Sequence, residues 1–505
     1  SRWTYDAATG RLCRLRAQHA DGGVLQALNY AHDPIGNVTR VEDETTAVRY
    51  WRNRRSDGVR TFRYDTLSRL IEASGSESAG AMLGPALPPY LPADGDAVGW
   101  TPYTQRFDYD AGDNLTRVAH VGEQSYTREV RVAPDSNRGL AWSPGDPDPD
   151  FAGSFDGNGN PYSLQPGGAL LAWHGSNQLH QVSVVARADG TDDTETYVYD
   201  GDGQRVRKVG TRQAQGVTHT VEVRYLPGLE LRTDTARGEE LEVVVTEAGR
   251  AGVRGLHWRA GRPPEIPDAQ VRYTLGDHLG SAVLELDAEA ALIGAEGYYP
   301  YGGTAWRSAR RAIEADYRTV RYSGKERDAT GLYYYGFRYY MPWLGRWLNP
   351  DPAGEVDGLN LFTMAGNSPL TYADETGGQI KRPEEELKEN YLTNVKPKIV
   401  ERLESDRQAA IVRLTDEWGM SEAEARRSLK AIVREFRAAP HSININSRTL
   451  LNFEGEYIKN TFEWRRSTHR EIVNMSLVHH AKATPEFRKA FDLHLPQEDL
   501  HRWPP

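Results

Sequence analysis

The chain has 505 residues, a formal charge of −10 and a low mean hydropathy of −0.66. Its single cysteine, Cys13, excludes an internal disulfide framework, and it has no run of about 18 apolar residues that would span a membrane as a helix. The 26 Tyr and 12 Trp argue against disorder, so we expect a folded chain, too long for one ordinary core unless its architecture is repetitive.

Charge is distributed unevenly along the sequence. The first 378 residues hold 39 Lys and Arg against 51 Asp and Glu, whereas the rest holds 22 against 20. An acidic body followed by a slightly basic tail predicts separate domains with different roles. The chain also begins at Ser1 within a repeat, which suggests a fragment or a processed product.

A loose unit recurs through the first 330 residues. It consists of alternating aromatic or β-branched residues, an Asp, a turn with Gly or Asn, and a second alternating run. Each unit predicts a β-hairpin, because the Asp side chain can bond the backbone of the turn. One hairpin buries little, so successive hairpins should stack into one continuous sheet; an ordinary β-sandwich or propeller is the alternative. The six clearest copies begin at Trp3, Tyr30, Phe62, Phe107, Phe155 and Tyr197.

Aromatic residues, glycines and prolines are densest in residues 331–374, where the repeats end. The segments YTLGDHLGS (273–281), EGYYPYGG (296–303), YSGKERD (322–328) and GLYYYGFRYYMPWLGRWLNPDPAG (331–354) resemble the RHS-associated core domain, and the repeats resemble the YD repeats of RHS proteins. Further matches at 64–73, 125–128, 136–138 and 302–306 are similar to the C component of insecticidal ABC-type Tc toxin complexes, in which B and C components build a hollow β-sheet shell.

This resemblance implies a mainly β fold and a domain plan. We expect a large curled RHS repeat sheet that forms part of a shell, or partial cocoon, followed by a smaller α+β effector domain. The implied boundaries are 1–270 for the repeat segment, 271–378 for the core domain with its self-cleavage site, and 379–505 for the variable effector, a toxin.

The resemblance also implies an aspartyl-protease-like autoproteolysis, in which the core domain cuts the chain behind itself. The matching residues are Arg338, Asp351 and Asp374. Two carboxylates in a partly dry site share a proton, so one can activate water while the other polarises the scissile carbonyl. The expected cut lies between Gly378 and Gln379, where Gly378 replaces the apolar residue usual in the family. No cofactor or metal is expected for this reaction.

Structural explanations compete with these catalytic roles. Asp351 before Pro352 is also an ordinary turn residue, and Arg338 among tyrosines is also typical of cation–π packing. Glu355, Asp357 and Glu375 could replace one of the two aspartates only if the fold brings them close.

Two further motifs favour structural roles. Asp277, His278 and Ser281 invite comparison with a catalytic triad, but three neighbours in one turn rarely converge. The tyrosines of residues 333–340 favour a sheet core over a carbohydrate-binding strip.

The tail changes to helical periodicity at 384–403, 406–418 and 421–438, with short β-like runs at 442–446 and 472–478. Glu454 and Glu456 form an E-x-E pair, which suggests an ADP-ribosyltransferase with NAD as cofactor. His479 and His480 suggest a hydrolase or nuclease instead, although their spacing matches no metal pattern. A folded cargo with an unrecognised site is the third interpretation.

The function implied by the resemblance is a secreted toxin component. Its shell would enclose the effector, release it by self-cleavage and deliver it to the host cytosol. The implied partners are a B-type shell component, through it a pore-forming A-type component, and a host-cell protein target; no clear nucleic-acid binding is indicated. The alternatives are a contact-dependent RHS toxin delivered by another secretion machine and a carbohydrate-binding β-repeat adhesin.

Overall fold

The computed structural model divides into two compact units, one of Ser1 with Cys13–Pro383 and one of Arg2–Leu12 with Glu384–Pro505. The second unit is described only at Arg2–Leu12 and at residues 421–423, of which Glu422 and Ala423 are helical. No helix within the described ranges is long and apolar enough to cross a bilayer. The described residues are 1–19, 21–81, 84–92, 99–188, 191–248, 250–381 and 421–423.

The first thirteen strands belong mainly to one antiparallel sheet. From β2 the sheet runs in the order β2-β3-β4-β7-β8-β10-β11-β12-β13, while β5 and β6 form a separate hairpin. These strands are Arg2–Tyr5 (β1), Leu12–Gln18 (β2), Val24–His32 (β3), Val38–Asp43 (β4), Arg49–Trp51 (β5), Arg54–Ser56 (β6), Val59–Tyr64 (β7), Leu70–Ser78 (β8), Tyr90–Pro92 (β9), Trp100–Tyr109 (β10), Leu115–Val121 (β11), Tyr126–Val132 (β12) and Gly139–Trp142 (β13).

A second sheet of 13 strands contains β14 to β25 in sequence order, and β9 completes it by pairing in parallel with β25. Its further strands are Leu170–Trp173 (β14), Leu179–Val185 (β15), Asp193–Tyr199 (β16), Arg205–Ala214 (β17), Val217–Leu226 (β18), Leu229–Asp234 (β19), Glu239–Ala248 (β20), Ala251–Ala260 (β21), Ala269–Gly276 (β22), Ala282–Leu286 (β23), Leu292–Tyr298 (β24) and Thr304–Ala309 (β25).

The residues after β25, here called the core segment (residues 310–381), form short elements. Four of them make a small antiparallel sheet: Glu326–Arg327 (β26), Tyr333–Tyr334 (β27), Tyr339–Met341 (β28) and Arg346–Trp347 (β29). Ala373–Asp374 (β30) pairs with Ile380–Lys381 (β31). The helices in the described part of the first unit are Phe151–Ser154 (α1) and Ala312–Ala315 (α2), with 3-10 turns at Tyr322–Gly324, Glu355–Asp357 and Ala365–Asn367.

The predicted Asp turns form, and their geometry explains the repeat. Asp33 accepts hydrogen bonds from the backbone amides of Ile35, Gly36 and Asn37 at 2.8–3.0 Å. Burial opposes ionisation of Asp33, but the bonds from Asn37, Gly36 and Ile35 lower its pKa overall. The carboxylate therefore replaces the missing partners of a tight turn. The same side chain-to-backbone contact recurs at Asp65, Asp110, Asp156, Asp200, Asp277 and Asp287.

The tyrosine before the turn links one hairpin to its neighbour. The Tyr64 hydroxyl donates to the Val38 carbonyl oxygen at 2.9 Å, where β4 begins. Because the acceptor lies in the preceding hairpin, the hydroxyl bridges hairpins that the backbone ladder also joins. Three more tyrosines repeat this bond: Tyr109 to Leu70, Tyr199 to Leu179 and Tyr298 to Ala282.

The mainly β fold is therefore confirmed, with two differences from expectation. The repeat is split into two large sheets, because the Pro- and Gly-rich residues 143–169 between β13 and β14 hold only α1 and isolated bridges. The unit at Phe155 accordingly forms one bridge, from Phe155 to Pro161, instead of a hairpin of two strands. The domain boundary at 270 stays a prediction; β22 to β25 continue the second sheet.

One buried cluster joins both sheets to the core segment. It contains Val130 of β12, Leu179 of β15, Tyr197 of β16 and, from the core segment, Tyr339 and Trp343. The tyrosines predicted as sheet core are largely buried here. The core segment is thus packed against both sheets, which positions the loops described next.

Candidate active site

Three short loops of the core segment hold the predicted site residues. Arg338 ends the turn between β27 and β28, and its carbonyl oxygen accepts from the Tyr335 amide at 3.1 Å. Asp351 follows β29, and Asp374 ends β30. The side chains of Arg338, Asp351 and Asp374 are only 2%, 4% and 0% exposed, so the trio lies in a largely dry site.

The structure brings the three predicted residues together. Arg338 Nη2 lies 2.7 Å from Asp351 Oδ2 and 3.3 Å from Asp374 Oδ2. The same guanidinium lies over the ring of Trp347, 4.1 Å from its centroid. Cation–π packing and carboxylate binding are therefore not alternatives for Arg338, since the residue does both. Asp351 likewise makes a turn, accepting from the Ala353 amide at 2.8 Å, as well as the ion pair.

Asp374 also holds the loop that leads to the expected cut. Its Oδ1 accepts from the amides of Thr376, Gly377 and Gly378 at 3.1, 2.7 and 3.3 Å. Arg338 Nε donates to the Gly377 carbonyl oxygen. Gly378 is half-buried and Gln379 is exposed, so the peptide bond between them borders solvent.

Burial dominates the electrostatics of the site. It raises the pKa of Asp351 above the ordinary value; Arg338 opposes this rise, while Asp357 and Asp374 add to it. Burial also lowers the pKa of Arg338, although the surrounding carboxylates stabilise its charge. Burial therefore shifts the pKa of Asp351 toward the protonated form, against the effect of Arg338.

Two further residues lie near the site: Asp357, considered from the sequence only as a replacement for one of the aspartates, and Lys325, which was assigned no role. Asp357 Oδ2 accepts from the Ile380 amide at 2.8 Å, and burial raises its pKa. Lys325 Nζ donates to the Glu375 carbonyl oxygen at 2.6 Å, and burial lowers the pKa of this lysine. Lys325 could have been found from the sequence, because it lies in the YSGKERD motif. Asp357 reaches the Ile380 amide only because its loop folds back toward the site.

The turn with Asp277 and His278 is structural. Asp277 accepts from the amides of Leu279 and Ser281, both at 2.9 Å. His278 Nε2 lies 2.8 Å from the Leu370 carbonyl oxygen. Each side chain therefore has its own structural contact, as the sequence interpretation favoured.

The effector candidates Glu454, Glu456, His479 and His480 lie outside the described residues, as does the expected α+β effector fold. Within the part of the chain that is described, no group of three potential metal-ligating side chains converges.

The stacked hairpins with their Asp turns, together with the core segment, resemble an RHS-repeat protein with an RHS-associated core domain. No family model matches the chain. It is 44% identical over 389 residues to the toxin subunit YenC2 of Yersinia entomophaga, a match covering 74% of this chain and 40% of YenC2. It also matches the TcdB2-TccC3 crystal structure with a TM-score of 0.70 and 42% identity, over 74% of this chain and 18% of that one.

A Tc holotoxin pore structure of Photorhabdus luminescens matches with a TM-score of 0.70 and 43% identity, again over 74% of this chain and 18% of that one. The chain thus resembles the C component of ABC-type Tc toxin complexes, as its motifs predict. It spans 40% of the length of YenC2 and 40% of the length of YenC1, a second toxin subunit of Yersinia entomophaga to which it is 42% identical.

Proposed function

We propose that the chain is a C-type component of a Tc toxin that cuts itself between Gly378 and Gln379. The observation that carries the proposal is the convergence of Asp351 and Asp374 on the Arg338 guanidinium. Asp374 also accepts hydrogen bonds from the loop that ends at Gly378. Arg338 therefore contacts both proposed catalytic carboxyl groups, and Asp374 also contacts the loop to be cut.

The proposed reaction is a hydrolysis in which the two carboxyl groups have different roles. Asp351, whose pKa is raised by burial, holds the proton and donates it to the carbonyl oxygen of Gly378. Asp374 takes a proton from the attacking water, which adds to the carbonyl carbon. The bond from this carbon to the nitrogen of Gln379 then breaks, the amine leaves with the proton held by Asp374, and a hydroxyl group of the intermediate returns its proton to Asp351. Arg338, whose Nη2 contacts both carboxyl groups, holds the two side chains in orientation.

The biological context is part of the same proposal. The two large sheets form part of a hollow shell that encloses the C-terminal effector until self-cleavage releases it. The similarity to TccC3 in complex with TcdB2 and in a Tc holotoxin pore supports a B-type partner and, through it, an A-type pore. Secretion, delivery to the host cytosol and a host protein target follow from this context. The effector chemistry, including the use of NAD by Glu454 and Glu456, is assigned to residues that lie outside the described part of the chain.

The cleavage is tested by producing the chain with its B-type partner and analysing it under denaturing conditions. The wild-type chain should yield a fragment the size of residues 379–505, and Asp351→Asn should not. Glu355→Gln is the matched control, because Glu355 lies in the same loop but is exposed, and it should be cut normally. Complete cleavage of Asp351→Asn would reject the assignment.

The effector chemistry needs a separate test. If the released tail transfers label from NAD to a protein of a cell lysate, the effector is a transferase and not a hydrolase.

A further inference from the structure

The loop after Asp351 closes on the candidate site at one carbonyl group. The Leu361 carbonyl oxygen accepts from the Asp351 amide at 3.0 Å and from Arg338 Nη1 at 3.2 Å. The loop from Asp351 to Leu361 contains the 3-10 turn Glu355–Asp357. Its conformation is therefore tied to the same guanidinium that binds the two aspartates.

This loop directs Asp357 to the residues beyond the expected cut. Asp357 Oδ2 accepts from the Ile380 amide at 2.8 Å. Ile380 is the second residue after the Gly378–Gln379 bond, and it pairs with Asp374 in the β30–β31 ladder. The scissile segment is thus bound on its upstream side by Asp374 and on its downstream side by Asp357.

Asp357 belongs to the same electrostatic cluster as the catalytic pair. Burial raises its pKa, and the charge of Asp374 raises it further, while Arg338 opposes the rise. Asp357 in turn is among the charges that act on Asp351. In contrast, the side chains of Glu355 and Glu375 are exposed, so of the three neighbouring carboxylates considered from the sequence, Asp357 is the one directed into the site.

We propose that Asp357 is a positioning residue for self-cleavage, acting through the backbone amide of Ile380. It fixes the chain at Ile380, so that the carbonyl group of Gly378 faces the catalytic pair. The same contact restricts the motion of the leaving amine of Gln379. Holding both sides of a bond converts attack by water into a reaction of prearranged groups. This inference rests on the proposed self-cleavage. The role needs an acceptor oxygen at residue 357 and an N–H at residue 380.

The test compares Asp357→Ala with Asp357→Asn in the full chain with its B-type partner. Cleavage is followed over time after a pulse of cell-free synthesis. The alanine variant should be cut at least about tenfold more slowly, because the hydrogen bond that holds the Ile380 amide is lost. The asparagine variant should stay within about threefold of wild type, because its side-chain oxygen can still accept from Ile380. An asparagine variant as slow as alanine would overturn the proposal.

A second variant removes the donor and leaves the acceptor. Ile380→Pro lacks the amide N–H, and it should slow cleavage without adding to the effect of Asp357→Ala in the double variant. Independent, additive effects would contradict action through this bond. Glu355→Ala, in the same 3-10 turn, is the control and should be cut at the wild-type rate.

The two proposals fail differently. If Asp351→Asn is fully cut, or the wild-type chain is not cut at all, the proposed self-cleavage itself is wrong. If the wild-type chain is cut, Asp351→Asn is not and Asp357→Ala is cut at the wild-type rate, only the positioning role is rejected.

Discussion

Arg338 contributes to the candidate site in several ways at once. Its guanidinium contacts two carboxylates and the carbonyl oxygens of Gly377 and Leu361. A planar group with five donors can serve these partners simultaneously, which an ammonium group cannot do with the same geometry. Substitution by lysine would therefore keep the charge and lose most of the arrangement.

Two adjacent glycines before the expected cut differ in what they tolerate. Gly377 has φ of +76°, and a Cβ there would lie 3.1 Å from the Arg338 amide nitrogen. A Cβ at Gly378 would instead make ordinary contacts of 3.8 Å with the Phe337 ring and with Thr376 Oγ1. Phe337 is 47% exposed, so it offers an apolar surface beside the residue that precedes the expected cut.

We therefore expect Gly378→Leu to be cut a few-fold faster than wild type. The leucine can pack on Phe337 and order the peptide group that reacts. Gly377→Ala should be cut at least about tenfold more slowly, because it strains the turn that presents the bond. Both rates are measured by the same pulse and denaturing analysis.

The control for this pair is Phe337→Ala, which should remove the gain of Gly378→Leu and leave the wild-type rate nearly unchanged. A Gly378→Leu variant that is cut more slowly than wild type would show that a small residue is needed at this position.

At the scale of the elements, the tyrosine bonds make neighbouring hairpins cooperative. The Tyr109 hydroxyl donates to the Leu70 carbonyl oxygen at 2.6 Å and lies 2.8 Å from the Tyr301 hydroxyl. It thereby connects two hairpins of the first sheet with the second sheet, to which β24 and the Tyr301 turn belong. A hydroxyl with two partners is a sensitive position for testing the repeat.

Tyr109→Phe should lower the free energy of unfolding by about 1–3 kcal/mol, since it leaves the Leu70 carbonyl group with one donor fewer in a part-buried environment. The matched control is Tyr50→Phe, because Tyr50 is 65% exposed and should cost little. Urea unfolding of the Asp351→Asn chain, which is expected to stay intact, measures both. Equal midpoints for the two variants would mean that the hydroxyl bridge does not stabilise the sheet.

The same elements show which features the sequence could predict. The Asp33 turn was predictable because its donors lie within four residues of the carboxylate. The bond from Tyr64 to Val38 was not, because it joins separate hairpins. Arg338 and its two aspartates were found through a family motif, whereas Asp357 reaches Ile380 only after the loop closes at Leu361, which no local pattern encodes.

At the scale of the whole first unit, a buried ion network attaches the core segment to the second sheet. Arg205 and Lys208 of β17 contact Glu326 and Asp328 at 2.6–2.8 Å. The Asp328 side chain is 0% exposed and that of Arg205 is 1% exposed. Although burial opposes it, Asp328 and Glu326 raise the pKa of Lys208. Arg232 also lies 3.6 Å from Glu326, so these four side chains form the central part of a larger, largely buried ion network.

Removing one anion from this network should disable cleavage from a distance. Asp328→Asn removes a carboxylate that pairs with both Arg205 and Lys208, a loss expected to cost about 3–5 kcal/mol. Because β27 and the Arg338 turn follow Asp328 directly, we expect the core segment to detach and the chain to remain largely uncut. Asp108→Asn is the control, since its ion pair with Arg117 is exposed and such pairs contribute about 0–1 kcal/mol.

We expect Asp328→Asn to act by disturbing the charge balance of the network and not by removing the shape of one side chain. A double variant distinguishes these two causes. Lys208→Met combined with Asp328→Asn removes one cation together with one anion and keeps the Arg205–Glu326 ion pair. The double variant should be more stable than Asp328→Asn alone and should recover part of the cleavage, because the uncompensated cation is gone. Unfolding midpoints and cut fractions of the single and double variants measure this. If the double variant is no more stable than Asp328→Asn, the network acts through the shape of Asp328 and not through its charge.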